Sequence, residues 1–372
     1  MKQHTSLSIE LDIQSLKSNL AVLRGLCTHN QLFIASVKGN AYGLGAIQIA
    51  PLLEQCGIEM LATGNLQEAR AIRQNGVKLP ILMFAFGTAA ESSAAAMEGF
   101  IPTITDFDTA ELVSRSVDKT VEIYIKVDAG LGRLGIPLAV AQDTIVKICS
   151  LDNIQVGGIY THVPFADKSG RQWSVARLVD FQNLLDSLST IGIRPNVTQA
   201  MASSCVVAGL NDDCNAVCVG HAMYGLSPYG YDDVGDMTMF QPVLKALHTR
   251  LIHVGNHQPG DDLIIAGQYN IARPRKLGIL PIGMSHGVPG ASSGGEFHVL
   301  IRGHRAPVVS VSLEHTTIDL DGISRCSPGD IVYLVGSSED QSISLNELAL
   351  SWNISPLETM MRLSESTDKQ VI

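Results

Sequence analysis

Lys38 stands where a short apolar run, Leu32 to Ala35, gives way to a segment with glycines at positions 39, 43 and 45. A strand that ends there delivers one amine into a turn with apolar walls. Desolvation disfavours the charged form of such an amine, so its pKa falls and it becomes a nucleophile that can hold an aldehyde as a Schiff base. A snorkelling lysine at a strand end is the alternative interpretation of this residue taken alone.

Other polar residues also follow predicted strands. They are Asp128 with Arg133, His162, Ser203 and Gly220. The segments that begin at Ser203 and Gly220 offer hydroxyls and backbone amides at predicted helix N-termini, which is the geometry of a phosphate cradle. A serine that merely caps a helix is the alternative for each serine alone.

The elements that position these residues alternate between short apolar runs and longer segments of helical periodicity. Eight strands are predicted, at Phe33 to Lys38, Glu59 to Thr63, Ile81 to Phe84, Pro102 to Thr105, Glu122 to Asp128, Val156 to His162, Val197 to Met201 and Ala216 to Gly220. Eight strand–helix repeats in this length predict a (β/α)8 TIM barrel, whose sites lie at the carboxyl ends of the strands. The polar residues above share that rim.

The character of the sequence changes after Pro228. A linker is predicted over Tyr229 to Asp236, and five β-rich runs follow, at Leu244 to Val254, Lys276 to Gly283, Phe297 to Arg302, Val308 to Leu320 and Ile331 to Val335. We therefore predict two domains, a cofactor-binding barrel over residues 1–230 and a C-terminal β-rich domain over residues 231–372.

Composition excludes several classes of protein. The net charge of -10 argues against a nucleic-acid partner. No apolar run reaches membrane-spanning length and no signal core follows Met1, so we expect a cytoplasmic protein without a membrane partner. The seven cysteines are scattered without a Cys-x-x-Cys pair, which indicates reduced thiols and no metal site.

The run Ser36 to Gly45 resembles the signature around the cofactor lysine of alanine racemases. The resemblance continues at Lys126 to Gly135, at Ile159 to His162 and at Ala222 to Pro228, and it reaches the β-rich half at Leu280 to Gly283. It spans roughly residues 8 to 364. It implies a fold-type III enzyme that binds pyridoxal 5'-phosphate, acts on a small amino-acid substrate and forms a head-to-tail homodimer in which the β domain completes the partner's site.

The resemblance also assigns roles to single residues. It makes Lys38 the catalytic lysine and puts Tyr42, His162, Ser203, Gly220 and Tyr224 with it among the cofactor-binding residues. Arg133 should bond the cofactor's phenolic oxygen and bias the substrate carboxylate, because a guanidinium gives two charge-assisted bonds in one plane. In some members the lysine equivalent to Lys126 is carbamylated and braces that arginine.

Two departures from the family pattern bear on the reaction. Cys218 stands where the family has the arginine that bonds the pyridine nitrogen, so we expect it in the cofactor site. Ile265 stands where the family has its catalytic tyrosine. A racemase needs one acid/base group on each face of Cα, and Lys38 serves only one.

Three further family positions have changed, and with Arg133 and Ile265 they make up the predicted substrate pocket: Met284, Leu313 and Leu357. Their apolar character suggests a larger or more apolar substrate than alanine, or simple repacking. His162 is a candidate base, or a structural hydrogen-bond donor. Tyr269, the nearest remaining phenol, would need a bulge in an extended run to reach the place of the lost tyrosine.

Three hypotheses about function follow. The first is an enzyme that works at Cα from one face, as a decarboxylase, aldolase or eliminating enzyme would, through an imine with Lys38. The second is a racemase or epimerase whose second base is Tyr269, His162, Cys218 or His286. The third is a cofactor-binding protein without turnover.

Overall fold

The computed structural model describes residues 7–27, 30–84, 87–229, 236–261, 264–265, 268–269, 273–290, 297–363 and 367–372. By contacts within the chain they form two compact units. One comprises residues 14–41 and 46–242, and the other comprises residues 1–13, 42–45 and 243–372.

The strands are numbered in chain order. They are β1 (Leu7–Leu11), β2 (Leu32–Ser36), β3 (Met60–Thr63), β4 (Ile81–Met83), β5 (Ile101–Ile104), β6 (Val121–Asp128), β7 (Ile136–Pro137), β8 (Ile154–Val163), β9 (Val197–Met201), β10 (Ala216–Val219), β11 (Leu244–Arg250), β12 (His253–His257), β13 (Ile264–Ile265), β14 (Gln268–Tyr269), β15 (Arg275–Leu280), β16 (His298–Ile301), β17 (His304–Val311), β18 (Thr316–Asp319), β19 (Ile331–Ser338), β20 (Gln341–Ile343) and β21 (Thr367–Val371).

The α-helices are numbered likewise. They are α1 (Ile13–Leu26), α2 (Ala46–Gln55), α3 (Leu66–Gln74), α4 (Ala89–Met97), α5 (Phe107–Ser116), α6 (Leu138–Cys149), α7 (Lys168–Thr190), α8 (Ser203–Val207), α9 (Leu345–Trp352) and α10 (Pro356–Leu363). Two short 3₁₀ helices cover His221–Tyr224 and Met284–His286.

The first unit is the predicted TIM barrel. Its parallel strands follow the order β2-β3-β4-β5-β6-β8-β9-β10, and pairing of β10 with β2 closes the ring. All eight predicted strands are present, which confirms the predicted fold class. They are buried, because helices cover their outer face while side chains such as Ile34, Tyr124 and Ala216 fill the interior.

The helices of the barrel begin at polar caps that the sequence supplies. The side chain of Asn65 accepts hydrogen bonds from the amides of Gln67 and Glu68 at the start of α3, and Asp106 and Asp167 cap α5 and α7 in the same way. Each cap fixes where a helix leaves the rim and so determines the length of the loop before it.

The second unit is mostly β-structure, as predicted. Its main sheet has the order β12-β15-β18-β17-β16-β19-β11-β1-β21, with β20 paired to β19. Its strands include one that lies within the range predicted for the barrel. Strand β1 pairs with β11 and β21 in this sheet, although the sequence places it with the barrel, because its alternating burial suits a sheet with one buried face.

The predicted boundary at residue 230 lies outside the described residues. Within the part of the chain that the structure describes, no helix is both long and apolar enough to cross a bilayer.

Candidate functional site

Lys38 lies directly beyond the carboxyl end of β2, in a turn of left-handed helix. Gly39, Asn40, Ala41 and Tyr42 all have positive φ, between 53° and 63°. This conformation suits glycine, but it costs roughly 1 kcal/mol or more for each of the other three residues. Such a turn persists only where the surrounding structure holds it in place.

The contacts that hold this turn come from both sides of Lys38. The amide of Val37 donates to the carbonyl of Ala62 at 2.8 Å, and the amide of Ala41 donates to the carbonyl of Val37 at 2.7 Å. The amide of Asn40 donates to the Glu68 carboxylate at 2.5 Å. The Asn40 side chain accepts from the amide of Ala46 at 2.8 Å.

The amine of Lys38 is the nucleophile that the sequence predicts. Burial lowers its pKa below the ordinary value; Cys218 acts in the opposite direction and the positive charge of Arg133 adds to the lowering. The residue as a whole is solvent-accessible, yet protein atoms surround the amine closely enough for desolvation to dominate. Both accessibility and a lowered pKa favour reaction with an aldehyde.

A glycine-rich loop after β6 carries Arg133. One carboxylate, that of Asp128, accepts hydrogen bonds from the amides of Gly130 at 2.9 Å and Gly132 at 3.0 Å. Gly135, with φ of 129°, closes the loop so tightly that a Cβ atom would lie 2.6 Å from the amide nitrogen of Asp128. The loop therefore places an exposed guanidinium at the same rim as Lys38.

Two histidines lie at this rim. His162, near the end of β8, has its pKa lowered to about 3 by burial, with Lys38, Lys126, Arg133 and His221 adding to the lowering. His221, which follows β10, has its pKa lowered to about 4 by burial and by Lys38. Both imidazoles are therefore neutral near neutral pH.

Lys126 is a second amine at this site. It is only 8% exposed, and its Nζ lies 5.9 Å from the ring centroid of Tyr160. Burial lowers its pKa to about 8, Arg133 and Lys38 lower it, and Asp128 and Cys218 raise it. A minor fraction of this amine is therefore uncharged at neutral pH, and that fraction grows as the pH approaches 8.

Cys218 lies among the side chains of the barrel interior, opposite Ile34 in the pairing of β10 with β2. Burial raises the pKa of its thiol to about 11, against the lowering effects of Lys38 and Lys126. It is therefore a neutral thiol. The nearby end of β2 carries a buried hydroxyl, that of Ser36, which is 4% exposed and has no hydrogen-bond partner.

The ends of β9 and β10 meet at the predicted phosphate cradle. The Ser203 hydroxyl accepts a hydrogen bond from the amide of Gly220 at 2.9 Å. The Ser204 hydroxyl accepts from the amide of Phe165, and its carbonyl accepts from the hydroxyl of Tyr229. Ser203 and Gly220 thus lie side by side at the two strand ends, and the Ser203 hydroxyl keeps its own proton to donate to an anion.

Both predicted cofactor-binding tyrosines are buried, Tyr42 at 5% and Tyr224 at 2% exposure. The hydroxyl of Tyr224 donates to the carbonyl of Ser36 at 3.0 Å and so ties the segment after β10 to the end of β2. Through this bond Tyr224 supports the backbone that precedes Lys38.

The strands β13 and β14 carry Ile265 and Tyr269. They form an antiparallel ladder in which Ile265 pairs with Gln268 and Ile264 pairs with Tyr269. The expectation that Tyr269 lies four positions along one extended run is wrong, because the ladder places it across from Ile264.

Two of the three altered pocket positions are neighbours in the second unit. The amides of Met284 and Ser285 donate to the carbonyls of Ser312 and Leu313, and Met284 and Leu313 are 49% and 64% exposed. His286 is engaged in the same turn, where its Nδ1 accepts from the amide of Gly283.

The third altered position, Leu357, lies in the first turn of α10 and is partly buried. The turn that carries Met284 packs against the other end of this helix, where a Cβ atom on Gly287 would meet the carbonyl oxygen of Arg362 at 2.1 Å. The structure therefore brings Met284 and Leu313 together and leaves Leu357 at the far end of the adjoining helix.

Three residues of this site were not predicted from the sequence. His221 could have been noticed, since it directly follows Gly220 at a strand end. Glu68 and Ser36 carry no such signal, because the spacing from Asn65 to Glu68 predicts only a capped helix and Ser36 resembles any strand-end serine.

These residues fit pyridoxal phosphate. Lys38 offers a nucleophilic amine, and Ser203 with Gly220 offers an anion cradle. The unpartnered hydroxyl of Ser36 shows that the interior end of β2 has hydrogen-bonding capacity that the protein itself does not use. Pyridoxal phosphate would supply an aldehyde for the Lys38 amine and a phosphate for the cradle, and its polar ring could partner the Ser36 hydroxyl.

Comparisons with known proteins agree on one family. The family model for the alanine racemase N-terminal domain matches residues 11–228, and that for the C-terminal domain matches residues 244–371. The alanine racemase of Methanococcus maripaludis is 29% identical over 343 residues, which are 91% of this chain and 91% of that protein. The alanine racemase of Geobacillus stearothermophilus is 30% identical over 353 residues, or 93% of this chain and 88% of the relative.

Solved structures show the same fold. Alanine racemase of Clostridium difficile 630 superposes with a TM-score of 0.89 at 21% identity, covering 100% of this chain and 97% of that one. Alanine racemase of Bacillus anthracis with bound L-Ala-P superposes with a TM-score of 0.86 at 25% identity, covering 98% and 94%.

Proposed function

This chain belongs to the alanine racemase family and is a pyridoxal-phosphate-dependent enzyme of amino-acid metabolism, and we propose that it works at Cα of an amino acid from one face. Its reaction class would then be decarboxylation, aldol cleavage or elimination. The observation that carries the proposal is the set of acid/base groups around Lys38.

The cofactor, when bound, supplies an electron sink for the bond broken at Cα. Lys38 would hold its aldehyde carbon, since its amine has a lowered pKa and lies at the barrel rim. Ser203 and Gly220 would hold its phosphate. Arg133 would orient the substrate carboxylate, because the loop that Asp128 braces carries its guanidinium at the rim.

Apart from Lys38, most groups in the described part of the barrel rim are poorly suited to move a proton at neutral pH. A histidine with a pKa near 3 or 4 rarely takes up a proton, and a thiol with a pKa near 11 rarely gives one up. Ile265, which the family resemblance puts at the position of the catalytic tyrosine, has no exchangeable side-chain proton. Among the described groups of the rim this leaves Lys38, with Lys126 as a second amine.

A racemase or epimerase is the second candidate. It is favoured by the names of the relatives, which are alanine racemases, and by Lys126, whose pKa of about 8 makes a second amine available as a base. The low pKa of His162 and the high pKa of Cys218 argue against these two as the second base.

Deuterium exchange separates the two candidates. The cofactor-loaded enzyme is incubated with L-alanine or D-alanine in heavy water, with Lys38→Ala as the inactive control, and both Cα deuteration and configuration are measured. We expect one enantiomer to exchange with retention. Interconversion of both at a rate ordinary for an enzyme would establish the racemase, and Lys126→Met would then test its second base.

A gain-of-function variant tests the residue assignment. Tyrosine at Ile265 together with arginine at Cys218 should raise alanine racemisation, because a positioned acid/base group contributes about a hundred- to ten-thousandfold. The control places tyrosine at Ile264, its neighbour in the same strand. Equal rates in the two variants would show that Ile265 does not occupy the place of the family tyrosine.

The localisation, the oligomeric state and the substrate class are also proposals. We propose a cytoplasmic homodimer acting on a small amino acid that is larger or more apolar than alanine, which the exposed Met284 and Leu313 would accommodate. A cofactor-binding protein without turnover is the outcome if no amino acid in a broad panel changes the absorbance of the loaded protein.

A further inference from the structure

We propose that Glu68 is the positioning residue for Lys38: its carboxylate holds the left-handed turn that presents the amine, and cofactor binding depends on it. This inference rests on the proposed role of Lys38 as the residue that holds the cofactor. Glu68 is not among the residues that the family resemblance assigns to the site.

The carboxylate of Glu68 links the turn after β2 to the end of β3 through hydrogen bonds. The hydroxyl of Thr63, the last residue of β3, donates to one carboxylate oxygen of Glu68 and accepts from the amide of Asn65 at 3.3 Å. The other oxygen accepts from the amide of Asn40 at 2.5 Å. The carboxylate therefore ties the residue two positions after Lys38 to the adjacent strand of the barrel.

The two elements that carry Glu68 and Thr63 are themselves fixed. Glu68 lies in the first turn of α3, where the side chain of Asn65 accepts hydrogen bonds from the amides of Gln67 at 2.9 Å and of Glu68 itself at 3.2 Å. Thr63 is fully buried. Since the helix start and the strand end are both fixed, the carboxylate has a defined position from which to hold Asn40.

Lys38 lies between two anchored points. On one side the amide of Val37 is bonded to β3 through Ala62, and on the other the amide of Asn40 is bonded to Glu68. Gly39 alone separates Lys38 from the second anchor. The turn has positive φ at Asn40, Ala41 and Tyr42, so without an external acceptor the chain would relax towards right-handed conformations and carry the amine with it.

The test uses three variants and a matched control. Glu68→Ala removes the acceptor, whereas Glu68→Gln keeps a carbonyl oxygen for the Asn40 amide. The control is Glu54→Ala, which removes another glutamate that accepts a backbone amide, that of Lys78 at 2.8 Å, near the end of α2 that lies away from the turn. Asn40→Ala removes the bond to Ala46 and tests the turn independently.

Two measurements follow the variants, and neither depends on turnover. Hydrogen exchange of the cofactor-free protein reports the amides of residues 37–46, and titration with pyridoxal phosphate reports the dissociation constant. For Glu68→Ala we expect faster exchange in that segment and about tenfold weaker cofactor binding, equivalent to about 1.4 kcal/mol. Glu68→Gln should restore most of the slow exchange and most of the cofactor affinity. Asn40→Ala should make exchange in the turn faster. Glu54→Ala should change neither the exchange rates of residues 37–46 nor the dissociation constant.

The outcomes separate the two proposals. If borohydride reduction of the wild-type complex labels a residue other than Lys38, the proposed function fails. If Lys38 is labelled but Glu68→Ala binds the cofactor as tightly as Glu54→Ala does, the positioning role fails. A Glu68→Ala protein whose unfolding temperature falls without a selective rise in exchange over residues 37–46 also refutes it, since the carboxylate would then serve only general stability.

Discussion

At the scale of single residues, burial decides which groups around Lys38 carry charge. His162 and His221 stay neutral because they are withdrawn from water and face the positive charges of neighbouring side chains, while the thiol of Cys218 stays protonated because burial outweighs those same charges. Residue types alone do not reveal this. From sequence, a histidine at a strand end is a candidate base. Only the surrounding structure shows that its pKa is too low for it to take up a proton near neutral pH.

The histidines predict how stability depends on pH in the cofactor-free protein. Their folded-state pKa values, about 3 and about 4, lie below the ordinary value of 6.5, so the unfolded chain takes up protons first as the pH falls. Their contribution to the free energy of unfolding is therefore lost progressively from about pH 6.5 downwards.

The measurement is urea unfolding at intervals between pH 7 and pH 4. Glutamine at both His162 and His221 should flatten the fall in stability, whereas glutamine at the exposed His304 should leave it unchanged. An unaltered slope in the double variant would show that the two rings are hydrated in the folded protein.

The charge at position 218 should affect the pKa of the Lys38 amine. Arginine at this position would bring a permanent charge next to Lys38 and Lys126, and a like charge lowers the pKa of an amine. We expect Cys218→Arg to shift the pH dependence of cofactor attachment to lower pH, while the neutral Cys218→Met does not. Identical profiles would place residue 218 out of electrostatic reach of Lys38.

At the scale of elements, the glycine-rich loop after β6 depends on one glycine more than on the others. Gly135 has φ of 129°, and a Cβ atom there would meet backbone atoms of Asp128 and Val127 within 2.8 Å. Gly132 has φ of 71° with nothing near its Cβ direction. Both positions require a backbone conformation that favours glycine, but only position 135 also lacks room for a Cβ atom.

Alanine at each position measures the difference. Gly135→Ala should lower the free energy of unfolding by roughly 3 kcal/mol, because backbone strain and a backbone clash act together. Gly132→Ala should cost about 1 kcal/mol, the strain of a left-handed alanine alone. Comparable losses from the two substitutions would show that the loop shifts to accept the Cβ at position 135.

The elements also show what the sequence could predict. Apolar runs with polar residues at their ends identified every strand of the barrel and placed Lys38, His162, Ser203 and Gly220 on one rim, since the carboxyl ends of parallel strands share one edge. The brace on the turn could not be predicted. Glu68 reaches Asn40 across 28 residues of sequence, and no periodicity encodes a contact between a helix start and a neighbouring loop.

At the scale of the whole molecule, we expect a homodimer. Met284 and Leu313 are adjacent, apolar and exposed, and such clusters are typical of interaction surfaces. Sedimentation velocity should give twice the mass of one chain. Glutamate at both positions should shift the protein towards monomers, while glutamate at Leu350, which is 66% exposed, should not. A monomeric wild-type protein would refute the expectation.

Strand β1 pairs with strands that lie far from it in the sequence. It lies between β11 and β21, so its two partners in the sheet are encoded after the entire barrel. During vectorial synthesis β1 is therefore made before either of its partner strands, with the whole barrel made in between. In sequence, the barrel is an insertion within the β unit, because described strands of that unit lie on both sides of it.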